Sequence, residues 1–122
     1  MRHEPNGFWR TKALIDTGSP ITVFDRAAAE ALVVNLGRVD AETGCIALLG
    51  DHRRVQFEHI DLSLVSEPEI HWTARVAFIL DQTFQMAFQG ILGTDGFLDK
   101  WAVTFNRYYD YFIVQRPDEV DS

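Results

Sequence analysis

Ala13-Leu14-Ile15-Asp16-Thr17-Gly18-Ser19-Pro20-Ile21-Thr22-Val23-Phe24 sets an ionisable carboxylate directly after three apolar residues and at the mouth of a tight turn. From Phe8 to Ile15 the chain alternates loosely, with Trp9, Ala13 and Ile15 on one side and Arg10 and Lys12 among those opposite. That pattern predicts a half-buried strand. Asp16 to Pro20 is a dense cluster of turn formers, and the β-branched and aromatic run from Ile21 to Phe24 returns to extended structure. Gly18 permits a backbone shape or a close approach that a Cβ would forbid. Thr17 and Ser19 add hydroxyl donors, and donors around a carboxylate orient it and favour its ionised form. On the residues alone, the segment is either a solvated Asx turn between strands or a carboxylate held for chemistry.

Outward from this turn, Asp25 is placed to cap a short helix through Ala27–Leu32. Residues 43–65 read as a long hairpin: Ile46 to Leu49 apolar, Gly50-Asp51-His52-Arg53 as the turn, and Val55 to Val65 as the second arm. In that arm Val55 and Phe57 share one parity, whereas Ile60, Leu62 and Leu64 share the other, so a bulge or bend is expected near Glu58-His59. Ile70, Trp72, Ala74, Val76, Phe78 and Leu80 fall on one face of the next strand, which is the clearest period-two run in the chain. Gly90-Ile91-Leu92-Gly93 predicts a short strand between glycines, and Thr94 or Asp95 could cap one or two helical turns through Phe97, Leu98 and Trp101. Val103–Phe105 and Tyr111–Val114 should close the chain as a hairpin. The reading is mainly β with one or two short helices.

Composition narrows the function classes. With 122 residues, 47% of them hydrophobic and 24% charged, the chain fits one globular domain and excludes wholesale disorder. A net charge of −7 argues against nucleic-acid binding, because that affinity comes from Lys and Arg neutralising phosphates; the only basic knot is His52-Arg53-Arg54. No apolar run is long enough to span a bilayer, so no membrane insertion is expected. The start lacks the apolar stretch of a secretory signal, and the lone Cys45 allows no internal disulfide, so the expected location is cytoplasmic. Residues 1–7 are expected as a lead outside the domain (disordered or an artificial start), 8–116 as the domain, and 117–122 as a frayed acidic tail.

Leu14-Ile15-Asp16-Thr17-Gly18-Ser19-Pro20 resembles the active-site loop of aspartic proteases, and more narrowly that of the single-lobe, retropepsin-like enzymes. A second stretch is similar as well: Gly90-Ile91-Leu92-Gly93, followed by Phe97-Leu98 and Val103-Thr104-Phe105. Gly93 lies 77 residues after Asp16, which leaves room for that family's flap hairpin. The resemblance implies a single-lobe acid-protease fold, a closed or folded β-sheet that works as a homodimer with no cofactor and no metal, cutting peptide or protein substrates. It makes Asp16 the catalytic residue, supported in its loop by Thr17, Gly18 and Ser19. Thr17 would bond across the dimer axis and Ser19 to the Asp16 carboxylate. Ile91, Leu92 and Gly93 would form the strand packed beneath the catalytic turn, and Leu49, Gly50, Asp51, His52 and Arg53 the flap tip. The alternative is a catalytically inactive relative, a dimerisation or peptide-binding module. Departures from the family pattern are a charged flap tip with one glycine and few residues ahead of Asp16.

Other chemistry has weaker support. His3, His52, His59 and His71 are scattered, without a Cys or carboxylate at ligand spacing. Cys45 has no base beside it and reads as a semi-buried strand residue. Gly90, Gly93 and Gly96 lack the following Lys-Ser/Thr of a phosphate loop. Trp9, Trp72 and Trp101 read as core anchors.

Overall fold

The computed structural model describes residues 2–3, 7–8, 11, 13–16, 18–48, 50–65, 67–81, 90–106 and 111–116. In chain order the elements are β1 (Arg2–His3), β2 (Gly7–Phe8), β3 (Ala13–Ile15), β4 (Val23–Phe24) and α1 (Arg26–Ala31). They continue as β5 (Glu42–Leu48), β6 (Asp51–Ser63), β7 (His71–Ile79), β8 (Gly90–Leu92), β9 (Ala102–Asn106) and β10 (Tyr111–Gln115). Among the described residues ten strands stand against one six-residue helix, so the protein is mainly β.

One sheet runs in the order β2-β1-β6-β7-β4-β8-β3, with β5 also paired to β6; β9 and β10 form a separate antiparallel pair. The longest strand, β6, organises the rest. Its first half pairs with β5 from Leu48↔Asp51 to Glu42↔Phe57, and Arg2 stands opposite Asp61 beyond the end of β5. Residues 2–3, assigned by the sequence reading to a lead outside the domain, therefore pair with the stretch of β6 edge that β5 leaves open, and residues 7–8 pair in turn with residues 2–3.

The expected bulge in β6 is absent. The β6–β7 register runs without a slip from Val55↔Ile79 to Ser63↔His71. The parity switch has another cause, because the sheet carries an apolar cluster on each face. Val55 joins Val23, Ala77 and Ile79 on one face, with Phe57 packed against them. On the other face Leu62 joins Phe24, Ala74, Val76 and Phe78, together with Ala28, Ala29 and Leu32 from α1 and its end. Directly paired residues share a face, so an unbroken strand can bury opposite parities at its two ends.

Helix α1 forms as the sequence predicts. The Asp25 carboxylate accepts from the Ala28 N–H at 3.0 Å, satisfying one of the open donors of the first turn. The helix ends in a Schellman arrangement, with Val34 N–H bonded to Ala29 O and Val33 N–H to Glu30 O. Val33 occupies the left-handed position at φ 58°, which is unusual for a β-branched residue. No regular helix follows β8, because Gly96 adopts φ +100° and interrupts helical dihedrals. Residues 94–100 instead make a run of turns, closed by Asp99 N–H to Thr94 O and by Gly96 N–H to the Asp99 carboxylate.

Candidate active site

The turn at Asp16 is built by three strands. β3 pairs parallel with β8 (Ala13↔Gly90, Leu14↔Ile91, Ile15↔Leu92), and β4 pairs antiparallel with the other edge of β8 (Val23↔Ile91, Phe24↔Gly90). The Gly90–Leu92 strand thus threads between the two strands that the Asp16–Thr22 turn connects. Asp16 N–H donates to Leu92 O at 3.0 Å, so the residue is fixed at the end of the β3–β8 ladder.

Among the described residues, the bonds that shape the turn are short in sequence or reach back to the β8 end. Ser19 N–H donates to Asp16 O at 3.1 Å, closing a β-turn, and Gly18 N–H donates to Asp16 Oδ1 at 2.9 Å. From below, Thr94 N–H reaches Ser19 O at 2.8 Å and Asp95 N–H reaches Pro20 O at 3.0 Å. Gly93 N–H donates to the hydroxyl of Thr22, which is fully buried. A Cβ on Gly93 would lie 2.1 Å from Ile21 O and 2.7 Å from Ser19 O, so only glycine lets β8 come this close. Gly90 serves the same purpose against the Phe24 ring, where a Cβ would sit 2.4 Å from a ring carbon.

Alternation along β3 puts Leu14 and Asp16 on one side and Ala13 and Ile15 on the other. Leu14 is 46% exposed and Asp16 half-buried. The cross-strand pairs Leu14↔Ile91, Val23↔Ile91 and Val23↔Ala77 carry this face across to the cluster against which Ile21, Ile46 and Leu48 pack. Ile46 and Leu48 belong to the hairpin, so its inner side covers the same face that Asp16 occupies. On the opposite face a groove of 1180 Å³ is lined by Ala13, Ile15, Trp72, Leu92, Phe97 and Trp101 among others, and Asp16 does not reach it.

The sequence-predicted residues are distributed as follows. Asp16, Gly18, Ser19, Ile91, Leu92 and Gly93 come together at the turn; Thr17 lies outside the described residues. Ser19 differs from the expectation, since its hydroxyl donates to Ile21 O at 2.7 Å. Its single proton is thereby committed to the backbone and not to the Asp16 carboxylate. Among the described residues, Oδ2 of Asp16 has no hydrogen-bond partner. The hairpin tip is shorter than expected: Leu48↔Asp51 is the closing pair, Gly50 turns at φ +85°, and Asp51, His52 and Arg53 already belong to β6. The extended conformation persists there because each of these residues has a β5 partner. Leu49 lies outside the described residues. Cys45 is exposed on β5, not semi-buried, because alternation turns it away from the face on which Ile46 and Leu48 pack against the core.

Two buried polar residues escape the sequence reading. Thr22 holds Gly93, as above. Gln56, fully buried, accepts from Gly37 N–H at 2.8 Å and donates to Asn35 O at 3.0 Å and Glu58 Oε2 at 2.8 Å. Glu58 in turn takes a bidentate contact from Arg38, Nε to Oε2 at 3.2 Å and Nη2 to Oε1 at 3.1 Å. This network pins the 35–38 loop to β6. On the candidate face Arg75 lies 3.8 Å above the Phe57 ring and donates to Glu42 at 3.0 Å, a bond that holds the Glu42 carboxyl below its ordinary range. Among the described residues no three His, Cys, Asp or Glu side chains converge as a metal site would require.

No family model matches the chain, no curated protein matches it, and no solved structure matches it. No helix among the described residues is long and apolar enough to cross a membrane.

Proposed function

We propose that the chain is one lobe of an aspartic endopeptidase that acts as a homodimer, with Asp16 of each copy forming the catalytic pair. The observation that carries this reading is the threading of β8 between the strands flanking the Asp16 turn. Two glycine-marked motifs far apart in sequence meet within hydrogen-bond distance, an investment that a solvated turn does not need. The position of β3 at the end of the sheet among the described residues adds support, because Asp16 then emerges at a sheet edge that a second copy can approach.

The chemistry follows from apposing two such turns. Carboxylates a few Å apart do not both ionise easily, so the pair holds one proton between them. Gly18 N–H steadies Oδ1 and leaves Oδ2 facing the pair. The ionised partner takes a proton from water as its oxygen attacks the scissile carbonyl carbon. The protonated partner bonds to the carbonyl oxygen and supplies its proton as charge develops. Collapse of the tetrahedral diol breaks the C–N bond: the first carboxyl passes its proton to the leaving nitrogen while the second carboxylate takes one from a diol hydroxyl, which restores the pair. The β5–β6 hairpin, with Ile46 and Leu48 on its inner side, would cover the peptide and keep bulk water out.

The inactive-module reading has one observation in its favour: the Ser19 hydroxyl serves the backbone and not the carboxylate. The test is to size the protein in solution while assaying cleavage of an extended-peptide library, with and without a statine-type peptide. Endopeptidase function predicts a dimer, statine-sensitive cleavage, and no cleavage by Asp16→Asn at unchanged size and fold. A monomer at high concentration, or cleavage retained by Asp16→Asn, overturns it.

A further inference from the structure

The β6–β7 backbone ladder makes its last strand pair at Val55↔Ile79 and one further bond, Leu80 N–H to Arg54 O at 3.0 Å. Continuing the same register sets Arg53 opposite Asp81, and there the side chains take over: Arg53 Nη1 donates to Asp81 Oδ2 at 2.6 Å. The Arg53 side chain is 23% exposed and that of Asp81 32%, so the pair is partly withdrawn from water. Arg53 also contacts Asp51, but at 3.5 Å and with Asp51 73% exposed, a geometry that contributes little.

The segment carrying Asp81 is itself held. Arg26 Nη1, at the start of α1, donates to Leu80 O at 2.8 Å. Leu80 is therefore fixed to the helix on one side and to β6 on the other, and Asp81 stands on a firm post. On the moving side Arg53 is the cross-strand partner of Ile46, so a hold on Arg53 acts on both arms of the hairpin.

We propose that the Arg53–Asp81 ion pair is a strap at the root of the β5–β6 hairpin, so that only the end of the hairpin beyond the Ile46↔Arg53 pair swings over the Asp16 face. Arg53 is on this view a positioning residue, and its part in catalysis rests on the endopeptidase reading. A strapped root shortens the lid and limits how far it opens. Without the strap, the hinge retreats along the ladder toward Gly44 and Val55, and a longer, looser hairpin must be ordered each time peptide binds.

The test compares amide hydrogen exchange and peptide cleavage in the full chain and in Arg53→Gln, Asp81→Asn, the double variant and Arg53→Lys. The strap predicts exchange about fivefold faster at residues 45–47 and 52–54 in either single variant, as loss of a partly exposed ion pair would give. Amides of residues 57–62 and 72–78 stay as they were. The double variant is no faster than the singles, and Arg53→Lys lies closer to the parent. KM rises several-fold in the single variants while kcat changes less. Unchanged exchange at residues 45–47 and 52–54, or a uniform rise across β6 and β7, overturns the strap. The two ideas fail separately: a parent that cleaves nothing but shows the exchange response sinks the endopeptidase reading alone. A parent that cleaves while the variants leave exchange at residues 45–47 and 52–54 unchanged sinks the strap alone.

Discussion

Gly93 N–H donates to the Thr22 hydroxyl at 3.1 Å, joining residues 71 positions apart beneath the Asp16 turn. The bond is possible because neither side has room to spare: Thr22 is fully buried and Gly93 has no side chain. The shape of the candidate site therefore depends on a contact that involves neither the carboxylate nor the hairpin.

Gly93→Ala tests that dependence. Its Cβ would meet Ile21 O at 2.1 Å, a backbone atom that cannot swing aside. The expected loss is about 3 kcal/mol or more, with β8 displaced from the turn. Gly37→Ala is the control: Gly37 has φ +84°, but an added methyl would meet nothing within 4 Å, so its cost is limited to backbone strain of about 1 kcal/mol. Urea unfolding of both variants separates the two effects, and equal losses would contradict the close-approach role of Gly93.

Val33→Gly should raise stability. Val33 is 74% exposed and sits at φ 58° in the Schellman position, where a β-branched residue carries strain and glycine does not. The gain is expected at about 0.5–1 kcal/mol, since glycine gives back part of the relief as chain entropy. Thermal unfolding measures it, and a lower midpoint would contradict the strain.

Asp25→Asn separates the cap from its charge. Burial pushes the Asp25 carboxyl above its ordinary range, bonds from the Ala28 and Ala27 N–H groups partly offset this, and the charge of Glu30 adds to it. A raised native value means that the folded state holds the proton more tightly. The resulting stability is present below the ordinary aspartate value and is lost as pH rises through the raised one. Asparagine keeps the capping oxygen and does not titrate. The variant should therefore gain on the parent as pH moves from about 3 to 7 in paired unfolding curves. A relative gain toward acid would contradict the sign.

Gln56→Leu should cost about 3 kcal/mol, because it leaves Gly37 N–H and Asn35 O unpaired and takes a donor from the half-buried Glu58. The 35–38 loop should loosen first, with faster exchange there than in β7. A leucine variant as stable as the parent would contradict the network.

What the sequence made legible was whatever is encoded locally. The Asp16-Thr17-Gly18-Ser19 turn, the Asp25 cap and the alternation of β7 each depend on neighbours within a few residues. Gln56 was not legible: between Val55 and Phe57 its polarity reads as a solvent-facing strand position. Its burial depends on a loop that returns from twenty residues away. Val33 escaped for the opposite reason, since nothing about valine announces a left-handed helix end. The parity switch in β6 suggested a bulge because a single strand's pattern does not report that both sheet faces are covered. The turns after β8 replaced the expected helix through one dihedral, at Gly96. At the site, the meeting of Asp16 with Gly93 could be anticipated from the two motifs, whereas the turning of the Ser19 hydroxyl to Ile21 O could not.

Mixing parent chains with Asp16→Asn chains at constant total concentration, then measuring peptide cleavage after exchange, tests the shared catalytic pair most directly. If each active site needs Asp16 from both copies, an equal mixture retains about a quarter of the parent activity, the fraction of dimers with two intact chains under random pairing. Retention of about half, as independent chains would give, or any cleavage by Asp16→Asn alone, contradicts it.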